Sequence, residues 1–473
     1  MNNKIGNLEN IRRIHLMGVG GAGMSGLALL LAELGYEVSG CDMMHTSYIE
    51  KVLKEDVAVV LGHDSRHMER FNPDLLVYSS AIPEDNRELC SAREKGVRVA
   101  KRGEVLSWIF DSKFGIGIAG THGKTTTSSM IGLILEQSGM HPTLAIGGEL
   151  CDIGVNAKLG SGVYMVAELD ESDGSFEQFH PDIAVLTNAD WDHVNHYPNL
   201  DSVVEAFERF TRNPKENGLL VMCAEDPGLA RILGHAPLPR RAVTYGWGRG
   251  WTWGAFNVEH IHGGGVSFSV FHEGRHVEDL ELSVSGDHNV LNSLAAFAVS
   301  HELGIPFQRT KRILRDFKGA KRRLQYMGSL NGVEVFDDYG HHPREIAATL
   351  GALGRMYPEK RLVVAFQPHR YTRTQALYRE FAEVLSTADR LLLLPVYRAD
   401  EEPIEGVSSQ LIAGVLEKMG SRICTLCPTL RRAAEVLESV CSDGDVVLTI
   451  GAGDISNVGE MFLEKAKTVA VHA

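Results

Sequence analysis

The 473-residue chain contains no run approaching the roughly 18 apolar residues that span a bilayer, and its opening Met-Asn-Asn-Lys-Ile-Gly-Asn-Leu lacks the apolar core of a secretion signal. A cytoplasmic protein with no membrane partner is expected. Basic residues are not in excess either: 47 Lys and Arg face 61 Asp and Glu, a formal charge of −14. That balance argues against a nucleic-acid partner, and small anionic substrates would have to be held by local lysines and arginines. The 7 cysteines are odd in number and scattered, which argues against a disulfide framework. Their one close pair, Cys424-Thr-Leu-Cys427, has no second pair and reads as two structural cysteines. There is no internal repeat and no low-complexity tract, so a solenoid is excluded. At this length two to three domains are expected, each with its own core, in a monomer or weak homodimer.

What the chain does have is alternation. Ile14-His-Leu-Met17, Gly18-Val-Gly20-Gly21-Ala-Gly23, an apolar helix to Leu34, then Glu37-Val-Ser-Gly-Cys41 and Asp42 form a strand, glycine loop, helix, strand and acid. This outline suits any ligand with a pyrophosphate and a ribose. Further strand-like runs at 57–61, 74–78 and 97–100 argue a parallel sheet. A second unit begins near Lys113, and its stretch from about Tyr245 to Val284 reads as antiparallel hairpins turning at Gly263-Gly-Gly265 and Glu273-Gly274. A third unit begins near Tyr326, with strands at 333–336, 362–366, 390–394 and 446–450 separated by amphipathic helices.

The second unit opens with a phosphate cradle. Ile116-Gly-Ile-Ala119 runs through Gly120, Thr121, His122, Gly123, Lys124, Thr125 and Thr126 into an apolar helix. Glycines let backbone N–H groups approach phosphates, the lysine reaches their oxygens, and a hydroxyl can ligate Mg²⁺ at a helix N-terminus. Ile118 stands where the strict GxxxxGK[ST] pattern has its first glycine, so a plain glycine-rich turn competes; the lysine and hydroxyls in register favour phosphate.

Polar residues directly after apolar strands are candidates for chemistry in a parallel sheet. Glu168 is followed by Asp170, Glu171 and Asp173, oxygen donors suited to Mg²⁺ or else a solvated acidic loop. In Asn188-Ala-Asp190-Trp-Asp192-His193, the histidine is a metal ligand, a base or a hydrogen-bonded surface residue. His288 and Asn292, four apart on one helix face, either cap the helix or read a base edge. Lys318, Lys321, Arg322 and Arg323 form either a solvated face or a phosphate contact. Asp337-Asp338-Tyr-Gly-His341-His342-Pro343 and Gln367-Pro-His369-Arg370-Tyr-Thr-Arg373 end two consecutive strands, a recurrence that packing alone does not explain.

In this order, the cradle, Glu168–Asp173, Asp192-His193, His288–Asn292, Arg322-Arg323, Asp337–Pro343 and Pro368–Thr374 resemble the Mur ligase family, from Gly18 to Gly451-Ala-Gly453. The resemblance implies an α/β protein of three domains. These are a Rossmann-like UDP-sugar domain (1–112), a P-loop ATPase domain with a parallel sheet plus antiparallel hairpins (113–325), and a Rossmann-like closing domain (326–473). It implies an ATP- and Mg²⁺-dependent amide ligase of peptidoglycan biosynthesis that joins L-alanine to the lactyl carboxylate of UDP-N-acetylmuramate through an acyl phosphate.

Residue by residue, Gly18, Gly20, Gly21 and Gly23, with Asp42, Ser79 and Arg102, would line the UDP-sugar crevice. Lys124 would stabilise the transferring phosphoryl group, and Thr125, Glu168 and His193 would organise Mg²⁺. His288 and Asn292 would meet adenine, and Arg323 with Asp338 would tie ATP to the third domain. His369, Arg370 and Arg373 would grip a substrate carboxylate, and His341 or His342 would deprotonate the amine. The chain departs from the family pattern at Leu169, Trp191 and Asn195. It also lacks a lysine between His193 and Lys215 for the carbamate some members carry, with Glu208 a possible stand-in. A recycling ligase for preformed peptides, an NAD(P)-dependent oxidoreductase and a nucleotide sensor are the competing readings; the last two leave both late His/Arg clusters unexplained.

Overall fold

The computed structural model describes residues 5–399 and 401–470, so the outermost ends of the first and third expected units lie outside it. Its strands form three sheets. In the first, the strand Arg13–Met17 is buried at nearly every position, as expected for a strand covered on both faces. It lies between Glu37–Asp42 and Leu75–Tyr78, with Ala58–Leu61 and Arg98–Lys101 at the edges, all parallel. The chain order reverses at Arg13–Met17, and the Gly18–Gly23 loop leaves its carboxyl end at that switch point, where open sheets hold ligands.

The second sheet has ten strands. Phe114–Ala119 lies between Tyr164–Glu168 and Ile183–Leu186, parallel to both, so three functional segments leave the same end of the sheet side by side. The helix Lys124–Gln137 that follows is buried continuously from Thr125 to Leu135, which its small hydroxyl and apolar side chains allow. At the far edge, Trp253–His260, Val266–His272 and Arg275–Leu282 form the expected antiparallel hairpins. One detail differs: Ala242–Trp247 pairs parallel to Trp253–His260, so antiparallel pairing begins only at Trp253. Gly248 and Gly254 make the tight return possible, since a Cβ on Gly254 would sit 1.9 Å from the Gly248 carbonyl oxygen.

The third sheet runs Gln325–Leu330, Val333–Asp338, Val446–Ile450, Leu362–Phe366, Arg390–Leu393 and Cys424–Leu426, parallel except for the first pair. Helices cover both of its faces, giving two apolar layers. The first and second units share a continuous apolar core, in which Phe110 meets Phe179 edge-on at 5.4 Å. Gly115 permits that seam, because a Cβ there would fall 2.3 Å from the Phe110 ring. Burying each such ring contributes about 1.5–3 kcal/mol. Among the described residues, no helix is long and apolar enough to cross a membrane.

Candidate active site

The cradle is shaped by Gly120 (φ +147°) and Gly123 (φ +80°), both in backbone regions that favour glycine. A Cβ on Gly120 would lie 1.9 Å from Thr187 Oγ1, and one on Gly123 2.9 Å from Asn292 Oδ1. The end of the neighbouring strand fixes the loop. Thr187 Oγ1 donates to the His122 carbonyl (2.6 Å), Asn188 Oδ1 accepts the His122 N–H (2.8 Å), and Thr121 Oγ1 accepts the Asp190 N–H (2.9 Å). Lys124 Nζ donates to the Gly120 carbonyl (2.5 Å) and to Glu171 Oε2 (2.7 Å). Burial alone would lower its pKa, but Glu171 and Asp170 raise it, so it stays charged.

Beside the lysine, Glu168 Oε1 accepts the Thr125 hydroxyl (2.9 Å), and its other oxygen accepts the Gly147 N–H. Burial pushes this carboxyl up against the pull of Lys124. His193, in left-handed backbone (φ +52°), brings Nε2 to 3.1 Å from Glu171 Oε1. Of the three expected metal residues, Thr125 and Glu168 touch, while His193 meets Glu171, a fully buried carboxylate that bridges it to Lys124. These carboxylate and hydroxyl oxygens are hard donors at the mouth of the phosphate loop, a set that fits Mg²⁺.

A cavity of about 330 Å³ opens beside the loop. Its wall combines His122, Gly123 and Thr126 of the cradle, His288 and Asn292 at the start of the helix Asp287–Glu302, and Arg323, Asp338 and Glu345 of the third unit. Burial holds His288 at about 4, with Arg323 adding to the effect and Asp287 opposing it, so the ring is neutral near pH 7. Asp338 is pushed up to about 6 by burial, against Arg323; its oxygens accept the Leu324 and Gly340 N–H groups at 2.7 Å each. His122 behaves oppositely. Burial would depress it, but hydrogen bonds to Asp190 and Glu345 hold it up to about 9. The cation run divides: Lys318 and Lys321 are exposed, Lys321 pairing with Glu149 (2.6 Å), whereas Arg322 pairs with Asp337 (2.8 Å) and Arg323 lines the cavity 3.6 Å from Glu345.

His342 caps the helix Pro343–Met356, with Glu345 closing a capping box, and its Nε2 lies 3.2 Å from the Trp191 carbonyl. Burial lowers both His341 and His342 to about 4, so each is an uncharged imidazole. In the second His/Arg cluster, Arg373 places Nε and Nη2 on the two oxygens of Asp192, at 2.9 and 3.1 Å. His369 stacks on Tyr397 with ring centroids 5.6 Å apart, and Arg370 faces Glu401 at 3.9 Å.

In the first unit the Gly18 and Val19 N–H groups donate to the Cys41 carbonyl at 2.8 and 3.1 Å, and the Gly20 N–H to Asp42 Oδ2 at 2.8 Å. Asp42 thus braces the glycine loop directly. Gly21 caps the helix Ala22–Glu33, and a Cβ on Gly18 would meet Ser79 at 3.2 Å. A Cβ on Gly23 would meet Arg102 at 3.1 Å, while Arg102 Nη2 reaches Asp170 Oδ2 of the second unit at 2.9 Å. Glu208 pairs with Arg212 and His235, so no contact joins it to the cradle among the described residues. Residues that sequence reasoning passed over are Thr187, Arg344 and Glu345, and Asp190 appeared there only within its segment, with no role of its own; only the position of Asp190 and Thr187 after an apolar strand signalled them.

Comparison with known proteins matches these units to three family models. The Mur ligase family catalytic domain matches residues 13–114, the Mur ligase middle domain 118–300, and the Mur ligase glutamate ligase domain 322–453. The UDP-N-acetylmuramate–L-alanine ligase of Geotalea daltonii is 42% identical over 458 residues, 97% of this chain and 98% of the relative. That of Geobacter sulfurreducens is 42% identical over 456 residues, 96% of this chain and 98% of the relative. A crystal structure of UDP-N-acetylmuramate-alanine ligase from Thermotoga maritima superposes with a TM-score of 0.82 at 29% identity, covering 97% of this chain and all of that one.

Proposed function

The chain belongs to the Mur ligase family, and on that premise we infer that it is an ATP-dependent amide ligase joining L-alanine to the lactyl carboxylate of UDP-N-acetylmuramate in peptidoglycan synthesis. The observation that carries this reading is the 42% identity to ligases of that activity, which runs through all three units. The cavity shared by the cradle and the third unit is where such a reaction needs its phosphoryl donor.

A carboxylate is a poor acyl donor, so the lactyl carboxylate first attacks the ATP γ-phosphate, giving an acyl phosphate and ADP. The amine of L-alanine then displaces phosphate. The first step demands positioning and charge neutralisation. Lys124 and the cradle N–H groups supply both, with His288 and Asn292 toward adenine and Arg323 and Asp338 reaching from the third unit. Mg²⁺ would be held by Thr125 and Glu168, with His193 and Glu171 adjoining, and would neutralise phosphate charge. The Gly18–Gly23 crevice takes the UDP moiety, lined by Asp42, Ser79 and Arg102. His369 and Arg370 grip a substrate carboxylate, with Arg373 positioned through Asp192, and of His341 and His342, both uncharged, His341 accepts the amine proton, because His342 Nδ1 already accepts the Arg344 N–H and its Nε2 faces the Trp191 carbonyl. We further infer three domains at 1–112, 113–325 and 326–473, a cytoplasmic location, and a monomer or weak homodimer, the last checked by sedimentation velocity.

The test is phosphate release with ATP, UDP-N-acetylmuramate and single amino acids. Release is expected to require the sugar nucleotide and to be strongest with L-alanine, with weaker L-serine or glycine. A preformed peptide as the sole productive acceptor would identify a recycling ligase instead.

A further inference from the structure

The first unit buries a group of side chains that the ligase reaction does not use. His15, Cys41, His67 and Glu88 each offer one donor atom, all within 4.8 Å of one another, and all four side chains are buried. They arrive from four elements: the strands Arg13–Met17 and Glu37–Asp42, and the helices His67–Phe71 and Arg87–Glu94. His67 Nδ1 lies 3.1 Å from Glu88 Oε1, and Cys41 Sγ 3.4 Å from Glu88 Oε2. His15 Nε2, fully buried, faces Glu88 Oε1 at 2.9 Å but makes no aligned hydrogen bond.

We propose that His15, Cys41, His67 and Glu88 form a structural zinc site inside the first unit, separate from the ligase site, that braces the Gly18–Gly23 loop. Two imidazoles, one thiolate and one carboxylate are the nitrogen, sulfur and oxygen donors of closed four-coordinate zinc sites. Their charges cancel those of a divalent cation, which resolves the cost of burying Glu88. Burial and Glu88 push the Cys41 thiol up, and a bound cation reverses this by deprotonating a coordinating thiol outright. The outer contacts are also present. Ser39 Oγ meets His15 Nδ1 at 2.8 Å and orients the ring, the Asp64 N–H donates to Glu88 Oε2 at 3.1 Å, and His63 Nδ1 stands 3.2 Å from Cys41 Sγ. The link to the loop is short, because the Cys41 carbonyl receives the Gly18 and Val19 N–H groups and the next residue, Asp42, receives that of Gly20.

The test uses the full chain purified without a polyhistidine tag or chelator. Elemental analysis is expected to find one zinc per chain. Cobalt substitution is expected to give the intense visible bands of a four-coordinate ion together with a thiolate-to-cobalt band in the near ultraviolet. Cys41→Ser should abolish the thiolate band. If that variant does not fold, zinc-edge X-ray absorption of the unaltered chain decides, with one sulfur at about 2.3 Å expected among nitrogen and oxygen neighbours. A chain that retains no zinc and whose melting temperature ignores added Zn²⁺ would overturn the proposal, leaving a hydrogen-bonded core. So would zinc with no sulfur neighbour, which would place the ion at His122, Asp190 and His342 instead.

Discussion

Arg373 of the third unit and Asp192 of the second form a two-point ion pair, Nε to Oδ1 at 2.9 Å and Nη2 to Oδ2 at 3.1 Å, with both side chains nearly excluded from solvent. The guanidinium beside it holds the Asp192 carboxyl well below the usual carboxylate range, overcoming burial. His341 and His193 lie 3.9 Å from the same carboxylate, so one aspartate gathers groups from both sides of the domain boundary. Removing one partner of a buried pair leaves the other charge uncompensated, at a cost of about 3–5 kcal/mol. Arg373→Ala and Asp192→Ala should each destabilise the junction of the two units, and the double variant should lose far less than the sum. A double-mutant cycle on calorimetric melting measures this, and additive losses would mean the pair is not coupled.

In the proposed mechanism Lys124 carries the phosphoryl chemistry, and Glu171 holds it in place at 2.7 Å. Lys124→Ala should lower kcat by at least about 100-fold, the order expected for removing a preorganised electrostatic donor. Cooperative melting should persist, because Glu171 keeps its contact with His193 at 3.1 Å. Turnover within tenfold of the unaltered chain would remove Lys124 from the mechanism.

Much of this was legible in the sequence because it depends on short-range order. A strand, a glycine loop and a helix follow each other within some twenty residues, and acids or histidines directly after apolar runs are carried to one end of a sheet by the parallel topology itself. That logic placed Glu168, His193, Asp338 and His369 at or after strand ends and Lys124 at the start of the helix that follows the glycine loop. It did not identify the partners that hold them. Asp190 reaches His122 across 68 positions and Arg344 across a domain boundary, and no local period encodes either meeting. His15, Cys41, His67 and Glu88 escaped for the same reason, since they share no spacing motif and meet only when two strands and two helices pack. The parallel pairing of Ala242–Trp247 was hidden because a glycine-rich run with alternating side chains suits a hairpin equally well.

Gly120 tests the shape of the cradle. Alanine there adds a Cβ into Thr187 Oγ1 and forces a non-glycine residue to φ +147°. Gly120→Ala should raise KM for ATP at least tenfold while KM for the sugar nucleotide changes little. Gly139→Ala, at another positive-φ glycine with open space around it, should leave both nearly unchanged and serve as the control for backbone strain alone.

Glu345 offers the sharpest pH test of the cleft. Oε1 lies 3.3 Å from His122 Nδ1 and 3.6 Å from Arg323, while Oε2 accepts the backbone N–H of the N-cap residue His342 at 3.3 Å and that of His341 at 2.9 Å. It therefore caps a helix and also helps hold His122 at about 9. A histidine raised in the folded state contributes stability that is fully present below its unfolded value, about 6.5, and is lost as pH rises toward 9. Glu345→Gln keeps the cap, since glutamine also serves in capping boxes, but removes the charge. Burial then acts on His122 against Asp190 alone, and its pKa falls. The fall in melting temperature above pH 6.5 should shrink and end at lower pH, and the alkaline limb of kcat/KM for ATP should move to lower pH. Glu345→Ala should shift that limb equally but lose a further 1 kcal/mol or so with the cap. A profile unchanged in both variants would show that Glu345 only ends a helix, and that the cleft holds His122 by other means.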